Sequence, residues 1–255
     1  MANFDQEEFN GFVLEEGILG LFEKDKVLKS KRTSKWYVNW RLNDAFKLER
    51  VGKFVVALAK DIGLEPDMFY GVPEGATRLG LLAQLAWAKQ SGNYGPGTHI
   101  LPMGRGKTKD HGDAKNKYFV AAPSGKVVVV EDVTTTGTSL LNTIANLKEL
   151  DGVEVIAALG LTNRMEITPI PGKDDAKVVA EFARNYERAT GQAYENPGSV
   201  EEVINATGAR YHALSESTVL LPRMFASQPP GEEIITAIKA EFEEYGIAPL
   251  EREGE

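Results

Sequence analysis

The sequence contains no cysteine. This absence excludes disulfides, thiol nucleophiles and cysteine-ligated metals, and it is compatible with a cytoplasmic location, which we expect. No apolar run approaches the roughly 20 residues that a helix needs to cross a bilayer. The first residues, Met1–Phe12, lack the basic region and the apolar stretch of a secretory signal. We therefore expect neither a membrane span nor a secretory signal in this chain.

An excess of positive charge is also missing, because 37 acidic residues outnumber 29 basic ones and give a net charge of -8. Nonspecific nucleic-acid binders need cationic surface to neutralise phosphates, so we expect no nucleic-acid partner. Two local basic clusters remain, Lys29–Lys35 and Arg105–Lys109. Such runs are usually solvated surface, but each of these could also bind a small polyanion.

No internal repeat or low-complexity tract interrupts the 255 residues, a length that suits one large domain or one domain with an appendage. Buried strands are predicted to alternate with helices. The predicted strands are Trp36–Trp40, Met68–Val72, Ile100–Met103, Val127–Val130 and Val153–Leu161. The predicted helices are Asp5–Glu23, Lys47–Ile62, Ala76–Lys89, Ser139–Leu150, Ala176–Ala189 and Glu232–Tyr245, with a further helix–strand unit over Val200–Ala213. This alternation predicts an α/β fold with a mostly parallel sheet, whose ligands bind at the carboxyl ends of the strands.

The segment Val127–Leu140 carries the strongest chemical signal. Four valines predict a buried strand, and two acids, Glu131 and Asp132, stand at its end. The loop that follows opens a helix and consists of Thr134, Thr135, Thr136, Gly137, Thr138 and Ser139. Backbone amides at a helix N-terminus, together with hydroxyls, bind a phosphate dianion, and the acids could accept hydrogen bonds from ribose hydroxyls. A plain N-capped helix also favours threonine and serine, but a cap does not require two adjacent acids.

This segment resembles the phosphoribosyl pyrophosphate (PRPP) binding motif of type I phosphoribosyltransferases. Three further segments, Leu28–Asn39, Gly71–Ala76 and Arg105–Gly112, are similar to segments of orotate phosphoribosyltransferases, and all four occur in that family's order. The resemblance implies a glycosyltransferase of pyrimidine biosynthesis that converts orotate and PRPP to orotidine 5′-monophosphate and pyrophosphate. It also implies the type I phosphoribosyltransferase fold, with a central sheet flanked by helices and a small N-terminal hood.

The resemblance assigns a role to each matching residue. The implied catalytic residues are Arg105, Lys109, His111 and Asp132. The implied PRPP-binding residues are Glu74, Gly75, Lys107, Glu131, Asp132, Thr134, Thr135, Thr136, Gly137, Thr138 and Ser139. The implied orotate-binding residues are Lys29, Tyr37, Val38, Thr135 and Arg164, the last of which would receive the orotate carboxylate.

The family also implies a cofactor, a partner and an organisation of the chain. Mg²⁺ is expected as cofactor, held mainly by PRPP and water without dedicated protein ligands. A homodimer is expected, in which a mobile loop, residues 104–117, closes over the neighbouring subunit's site. The predicted divisions are a hood (1–45), a core (46–225) with an extended segment (about 167–198), and an acidic C-terminal helix and tail (226–255).

Several positions depart from the family pattern, and other interpretations stay open. Lys31 and Lys35 stand where glycine and proline are usual, and Gly106 and Lys107 where lysine and glutamate are usual. Asn163 replaces an aspartate, and Glu74 brings negative charge to the predicted pyrophosphate loop. The alternatives are transfer to uracil or a purine, a PRPP-sensing regulator, and a nucleotide-binding domain of unrelated activity. Taken alone, Arg164 could equally form a structural ion pair, Tyr37 could be core, and Lys107, Lys109 and His111 could be ordinary surface residues.

Overall fold

The computed structural model describes residues 3–42, 44–107, 109, 111 and 113–251. Its elements, in chain order, are α1 (Gln6–Glu15), β1 (Leu19–Val27), β2 (Thr33–Val38), α2 (Ala45–Asp61), β3 (Met68–Gly71), α3 (Thr77–Gln90), β4 (Met103–Gly104), α4 (Ala114–Tyr118), β5 (Phe119–Ala121), β6 (Gly125–Thr134), α5 (Thr138–Lys148), β7 (Val153–Asn163), α6 (Ala176–Thr190), α7 (Val200–Ala206), β8 (Arg210–Glu216), α8 (Ser217–Ser227) and α9 (Glu232–Tyr245).

A four-stranded parallel sheet in the order β3-β6-β7-β8 forms the centre of the fold. The four valines of β6, Val127–Val130, are fully buried because strands flank β6 on both edges and helices cover both faces. Both faces of such a strand pack against apolar side chains, which favours an unbroken β-branched run over alternation. The predicted α/β fold with a mostly parallel sheet is confirmed.

The helices bury apolar faces against this sheet and against one another. α2 begins at its N-cap Asp44, whose side chain accepts a hydrogen bond from the Lys47 amide, and it packs on α3. α5 buries Leu140, Leu141 and Ile144 and packs on α6. Among the described residues, no helix is long and apolar enough to cross a membrane.

The N-terminal hood contains an antiparallel hairpin of β1 and β2, and α9 packs against it. The predicted helix Asp5–Glu23 is therefore wrong beyond Glu15. The chain turns at Gly17 with φ +61°, and Leu19 then pairs with Val38 of β2. Apolar spacing alone does not separate a short buried strand from the continuation of a helix, and the pairing partner lies later in the sequence.

Several other elements differ from the prediction, among them α4 and β5, which were not predicted, and two agree closely with it. The strand predicted at Ile100–Met103 is the two-residue β4, which pairs with β5, whereas Ile100 and Leu101 are exposed. Helix α8, which has Pro222 in its interior, was not predicted. The predicted helices Ala176–Ala189 and Glu232–Tyr245 are confirmed as α6, one residue longer, and α9.

Candidate active site

The loops after β3, β6 and β7 meet at the carboxyl edge of the sheet, beneath the hood. They enclose a cavity of about 820 Å³. Its lining includes Lys29, Tyr37, Val38, Glu74, Gly75, Glu131, Asp132, Thr134, Thr135, Thr136, Gly137, Thr138, Ser139 and Arg164. Segments that are more than a hundred residues apart in sequence thus share one cavity, as expected for ligand sites in parallel sheets.

The hydroxyl-rich loop places the start of α5 at the floor of this cavity. Gly137 is the N-cap and adopts φ +78°, a left-handed conformation that glycine reaches without steric cost. No side chain caps the first turn of α5, so the alternative of an ordinary side-chain cap does not apply. Uncapped amides at a helix N-terminus, flanked by the hydroxyls of Thr138 and Ser139, suit a phosphate dianion.

The two acids at the end of β6 differ in their surroundings. Glu131 is buried, while Asp132 is half-buried at the cavity wall. Burial raises the pKa of Glu131 well above its ordinary value, the adjacent Asp132 raises it further, and Lys29 opposes both effects. Glu131 therefore holds a proton more readily than an ordinary glutamate, and a bound cation or hydroxyl donor would favour its ionised form.

Lys29 brings the hood into contact with the hydroxyl-rich loop after β6. Its Nζ donates a 2.6 Å hydrogen bond to Ser139 Oγ at the start of α5. Tyr37 and Val38 lie on β2 and line the same cavity, Val38 from a buried position and Tyr37 with 37% of its surface exposed. Lys29, Tyr37 and Val38, which were predicted to hold the base, thus line the same cavity.

The loop after β3 approaches both Asp132 and the loop that begins at Arg105. A Cβ atom on Gly75 would lie 2.5 Å from Asp132 Oδ2, so only glycine fits there without displacement of the carboxylate. A Cβ atom on Gly106 would overlap the Glu74 carboxylate. Glu74 and Gly106, which both depart from the family pattern, are therefore linked. Glu74 occupies the space that a side chain at position 106 would enter.

The segment that begins at Arg105 is only partly brought to the site. Arg105 lines an adjoining cavity of about 210 Å³ together with Lys29 and Ser139, and its Nε donates to the backbone oxygens of Asn116 and Phe119. Lys107, Lys109 and His111 are exposed and are not among the described residues that line either cavity. The remaining positions of the predicted loop motif, Thr108, Asp110 and Gly112, lie outside the described residues.

Arg164 follows β7 and is 1% exposed. Its Nε donates to Glu166 Oε1 at 2.6 Å, and its Nη2 donates to Glu241 Oε1 at 2.7 Å and to Ser34 Oγ at 3.1 Å. The guanidinium carbon lies 3.6 Å from the centre of the Trp36 ring. Arg164 thus lines the cavity and also belongs to a buried ion-pair network, so it does form structural ion pairs, while its role toward the orotate carboxylate stays a prediction.

The same network contains residues that sequence patterns did not assign to the site. Arg32 donates to Glu166 Oε2 at 3.0 Å and to Asp174 Oδ2 at 2.7 Å. Burial raises the pKa of Glu241 to about 7, against the opposing effect of Arg164. Glu166 and Glu241 carried no signal in the sequence, because glutamate in a loop or in an acidic helix is usually solvated.

The extended segment, about 167–198, also forms part of the site. Its Asp174 pairs with Arg32 of the hood, and its helix α6 packs on α5. Asp175, Lys177, Val178 and Glu181 line the large cavity. The segment therefore fastens the hood to the core and supplies one wall of the cavity.

Oxygen donors are available for a divalent cation. Glu74, Glu131 and Asp132 line the large cavity, and carboxylates are the protein ligands that Mg²⁺ prefers. Among the described residues, no group of three or more His, Asp or Glu side chains is arranged to hold a metal ion. The carboxylates of Glu74, Glu131 and Asp132 could therefore contribute oxygen ligands to a Mg²⁺ ion.

Known proteins resemble this chain in sequence and in fold. No family model matches the sequence. A Pseudomonas aeruginosa protein named orotate phosphoribosyltransferase is 30% identical over 203 residues, which cover 78% of this chain and 86% of that protein. The crystal structure of orotate phosphoribosyltransferase from Francisella tularensis superposes with a TM-score of 0.59 at 18% identity, covering 94% of this chain and 99% of that one.

A second solved structure agrees in fold. Orotate phosphoribosyltransferase from Aeropyrum pernix superposes with a TM-score of 0.57 at 22% identity, covering 85% of this chain and 97% of that one. These two structural likenesses confirm the type I phosphoribosyltransferase fold. Sequence identity over most of both chains further shows that this protein belongs to the orotate phosphoribosyltransferase family.

Proposed function

We propose that this protein transfers the 5-phosphoribosyl group of PRPP to orotate, releasing pyrophosphate and forming orotidine 5′-monophosphate, a step of pyrimidine biosynthesis. The observation that carries the proposal is the single cavity that unites the uncapped N-terminus of α5, the acids of β6, and Arg164. The phosphate would bind the amides of Thr135–Ser139, the ribose hydroxyls would bind Glu131 and Asp132, and the base would lie under the hood.

The reaction demands stabilisation of charge more than a strong nucleophile. Departure of pyrophosphate leaves cationic character on the anomeric carbon, and cations around the leaving group lower the barrier. Lys29 and Arg105 line the adjoining cavity, and in this proposal their cationic groups would meet pyrophosphate oxygens. Closure of the loop would add Lys107, Lys109 and His111 and keep water from the reacting carbon.

Mg²⁺ is the cofactor that we propose, held mainly by PRPP and water. When bound, the metal neutralises the charge of the pyrophosphate group. Asp132 and Glu74 are the side chains that would contact it directly or through water. Both carboxylates line the large cavity, Asp132 next to Gly75 and Glu74 next to Gly106.

A homodimer with a shared loop is part of the proposal, and a cytoplasmic location stays a prediction. Ile100, Leu101, Met103 and Val120 present exposed apolar side chains around β4 and β5, next to the loop. Exposed apolar side chains that lie close together favour an interface. The exposure of Lys109 and His111 outside this protomer's own cavity also supports action in a neighbouring site.

One assay tests the activity and separates it from the alternatives. The protein is incubated with PRPP, Mg²⁺ and, in turn, orotate, uracil, hypoxanthine or adenine, and pyrophosphate release is followed. We expect release with orotate alone. Release only with another base would show a different phosphoribosyltransferase, and PRPP binding without release for any base would favour the sensing regulator.

A second assay tests the shared loop. Lys109→Ala and Asp132→Asn proteins are each expected to be nearly inactive, and heterodimers formed from both should regain activity because one hybrid site is intact. Absence of recovery in purified heterodimers would refute action across the interface.

A further inference from the structure

The hydrogen-bond donors of Arg164 are almost all committed within the protein. A guanidinium carries five N–H groups. The Nε–H group and both Nη2–H groups are used by Glu166, Ser34 and Glu241, and Nη1 donates weakly to the Trp36 carbonyl oxygen at 3.4 Å. Among the described residues, Nη1 of Arg164 therefore keeps one N–H without a protein acceptor and one that is weakly engaged, and Arg164 is one of the residues that line the large cavity.

The charges around Arg164 do not balance. Among the described residues of this network, two arginines, Arg32 and Arg164, face three carboxylates, Glu166, Asp174 and Glu241. Glu166 lies between the two arginines, and Asp174 pairs with Arg32. Glu241 is the carboxylate whose only cationic partner in the network is Arg164, so it is the one in excess.

We infer that Glu241 of α9 is a positioning residue of the base site, which holds Arg164 in place and competes for its charge with the carboxylate of the substrate. This inference rests on the proposed function, because it concerns the carboxylate that distinguishes orotate from uracil. A substrate carboxylate at Nη1 would be a third anion on a guanidinium that already contacts the carboxylates of Glu166 and Glu241. Affinity for the carboxylate is therefore highest when Glu241 is neutral.

The surroundings of Glu241 give this competition a pH dependence. Burial raises its pKa to about 7, Glu166 raises it as well, and Arg164 and the Ser34 hydroxyl lower it. Arg164 and Glu166 come from the loop after β7, and Ser34 comes from β2, which with β1 forms the hairpin that packs against α9. On its own helix, Glu244 pairs instead with Lys173. Glu241 thus passes from neutral to ionised across neutrality, while the substrate carboxylate stays ionised throughout.

Paired ligands isolate this effect from other titrations. Binding of orotidine 5′-monophosphate and uridine 5′-monophosphate is measured by calorimetry at several values between about pH 6 and pH 8. The two nucleotides differ only by the carboxylate, so the ratio of their dissociation constants cancels titration of the phosphate. In the wild-type protein we expect the preference for the orotidine nucleotide to fall by roughly tenfold as pH rises, the size of one charge-assisted hydrogen bond.

Two variants assign the effect to Glu241. Glu241→Gln keeps the shape and a hydrogen-bond acceptor but stays neutral, so its preference should remain high and flat with pH. Glu244→Gln makes the same change one turn along α9, where the side chain pairs with Lys173, and should keep the wild-type profile. A merely structural role for Glu241 would change the stability of the protein without flattening this ratio.

The outcomes are separable from those of the activity assay. A pH-independent ratio in the wild-type protein would overturn the inference even if Glu241→Gln failed to fold, and the proposed function would stand if orotate were still turned over. An identical slope in wild type and Glu241→Gln would overturn it as well. Failure of the wild-type protein to turn over orotate would overturn the proposed function, and the inference with it.

Discussion

Removal of the Arg164 side chain is expected to destabilise the protein strongly, apart from any effect on catalysis. Arg164→Ala deletes three close hydrogen bonds, of 2.6, 2.7 and 3.1 Å, and the stacking on Trp36. It also leaves Glu166 with Arg32 alone and Glu241 without a cation from the network. Breaking a buried ion pair on one side costs about 3–5 kcal/mol, and we expect the free energy of unfolding to fall by that amount.

The loss of unfolding free energy caused by Arg164→Ala should increase with pH. Once the arginine is gone, the carboxylate of Glu241 is desolvated without compensation, and the variant folds best when that carboxyl is protonated. The destabilisation should therefore be largest near pH 8 and should shrink towards about pH 5, because protonation removes the unpaired charge. Additivity of the separate contacts is not expected, since they share one network.

Urea-induced unfolding followed by circular dichroism measures this loss of unfolding free energy. The control is Arg188→Ala, which removes a 2.5 Å ion pair with Glu149 at a site where the two side chains are 30% and 42% exposed. Exposed pairs contribute roughly 0–1 kcal/mol. A loss near pH 8 no larger for Arg164→Ala than for Arg188→Ala would refute the argument from burial.

Four further predictions follow from individual positions. Lys31 adopts φ +68°, a left-handed conformation that glycine reaches without strain. Lys31→Gly should therefore raise the free energy of unfolding, measured by heat or urea, by up to about 1 kcal/mol. An unchanged or lower free energy of unfolding would show that Lys31 is not strained in this turn. Gly137→Ala forces a side chain into φ +78° and to 3.2 Å from Val200, and should weaken PRPP binding in calorimetry by tenfold or more, at roughly 1–2 kcal/mol of strain. Lys29→Ala removes the hydrogen bond to Ser139. Because a charged hydrogen bond contributes about 1.5–3 kcal/mol, kcat/KM for PRPP should fall by roughly tenfold to a hundredfold. Lys24→Ala, which removes an exposed lysine, is the control and should leave kcat/KM unchanged. Folding raises the pKa of Glu241 from 4.5 to about 7. The free energy of unfolding should therefore fall by roughly 3 kcal/mol as pH rises from 4.5 to above 7. Glu241→Gln should flatten this dependence of the unfolding free energy on pH.

Much of the fold could be predicted from local patterns. The valine run of β6, the following acids and hydroxyls, and the helical spacing of α6 and α9 each depend on residues close together in sequence. A strand that is buried on both faces has an unbroken apolar run, and an amphipathic helix has apolar residues at helical spacing, so both can be recognised in the sequence. The element boundaries that failed, at α1 and β4, lie where a short apolar segment pairs with a strand later in the chain.

The candidate site divides in the same way. The sequence by itself determined that a hydroxyl-rich loop and a helix follow β6 and that two acids stand at the carboxyl edge, because strand, loop and helix are contiguous. Only the tertiary structure decided that Glu241, 77 residues from Arg164, shares its guanidinium, and that Glu74 occupies the space beside Gly106. Contacts between distant segments depend on how helices and loops pack onto the sheet. Local sequence periodicity therefore does not indicate which carboxylate forms an ion pair with a buried arginine.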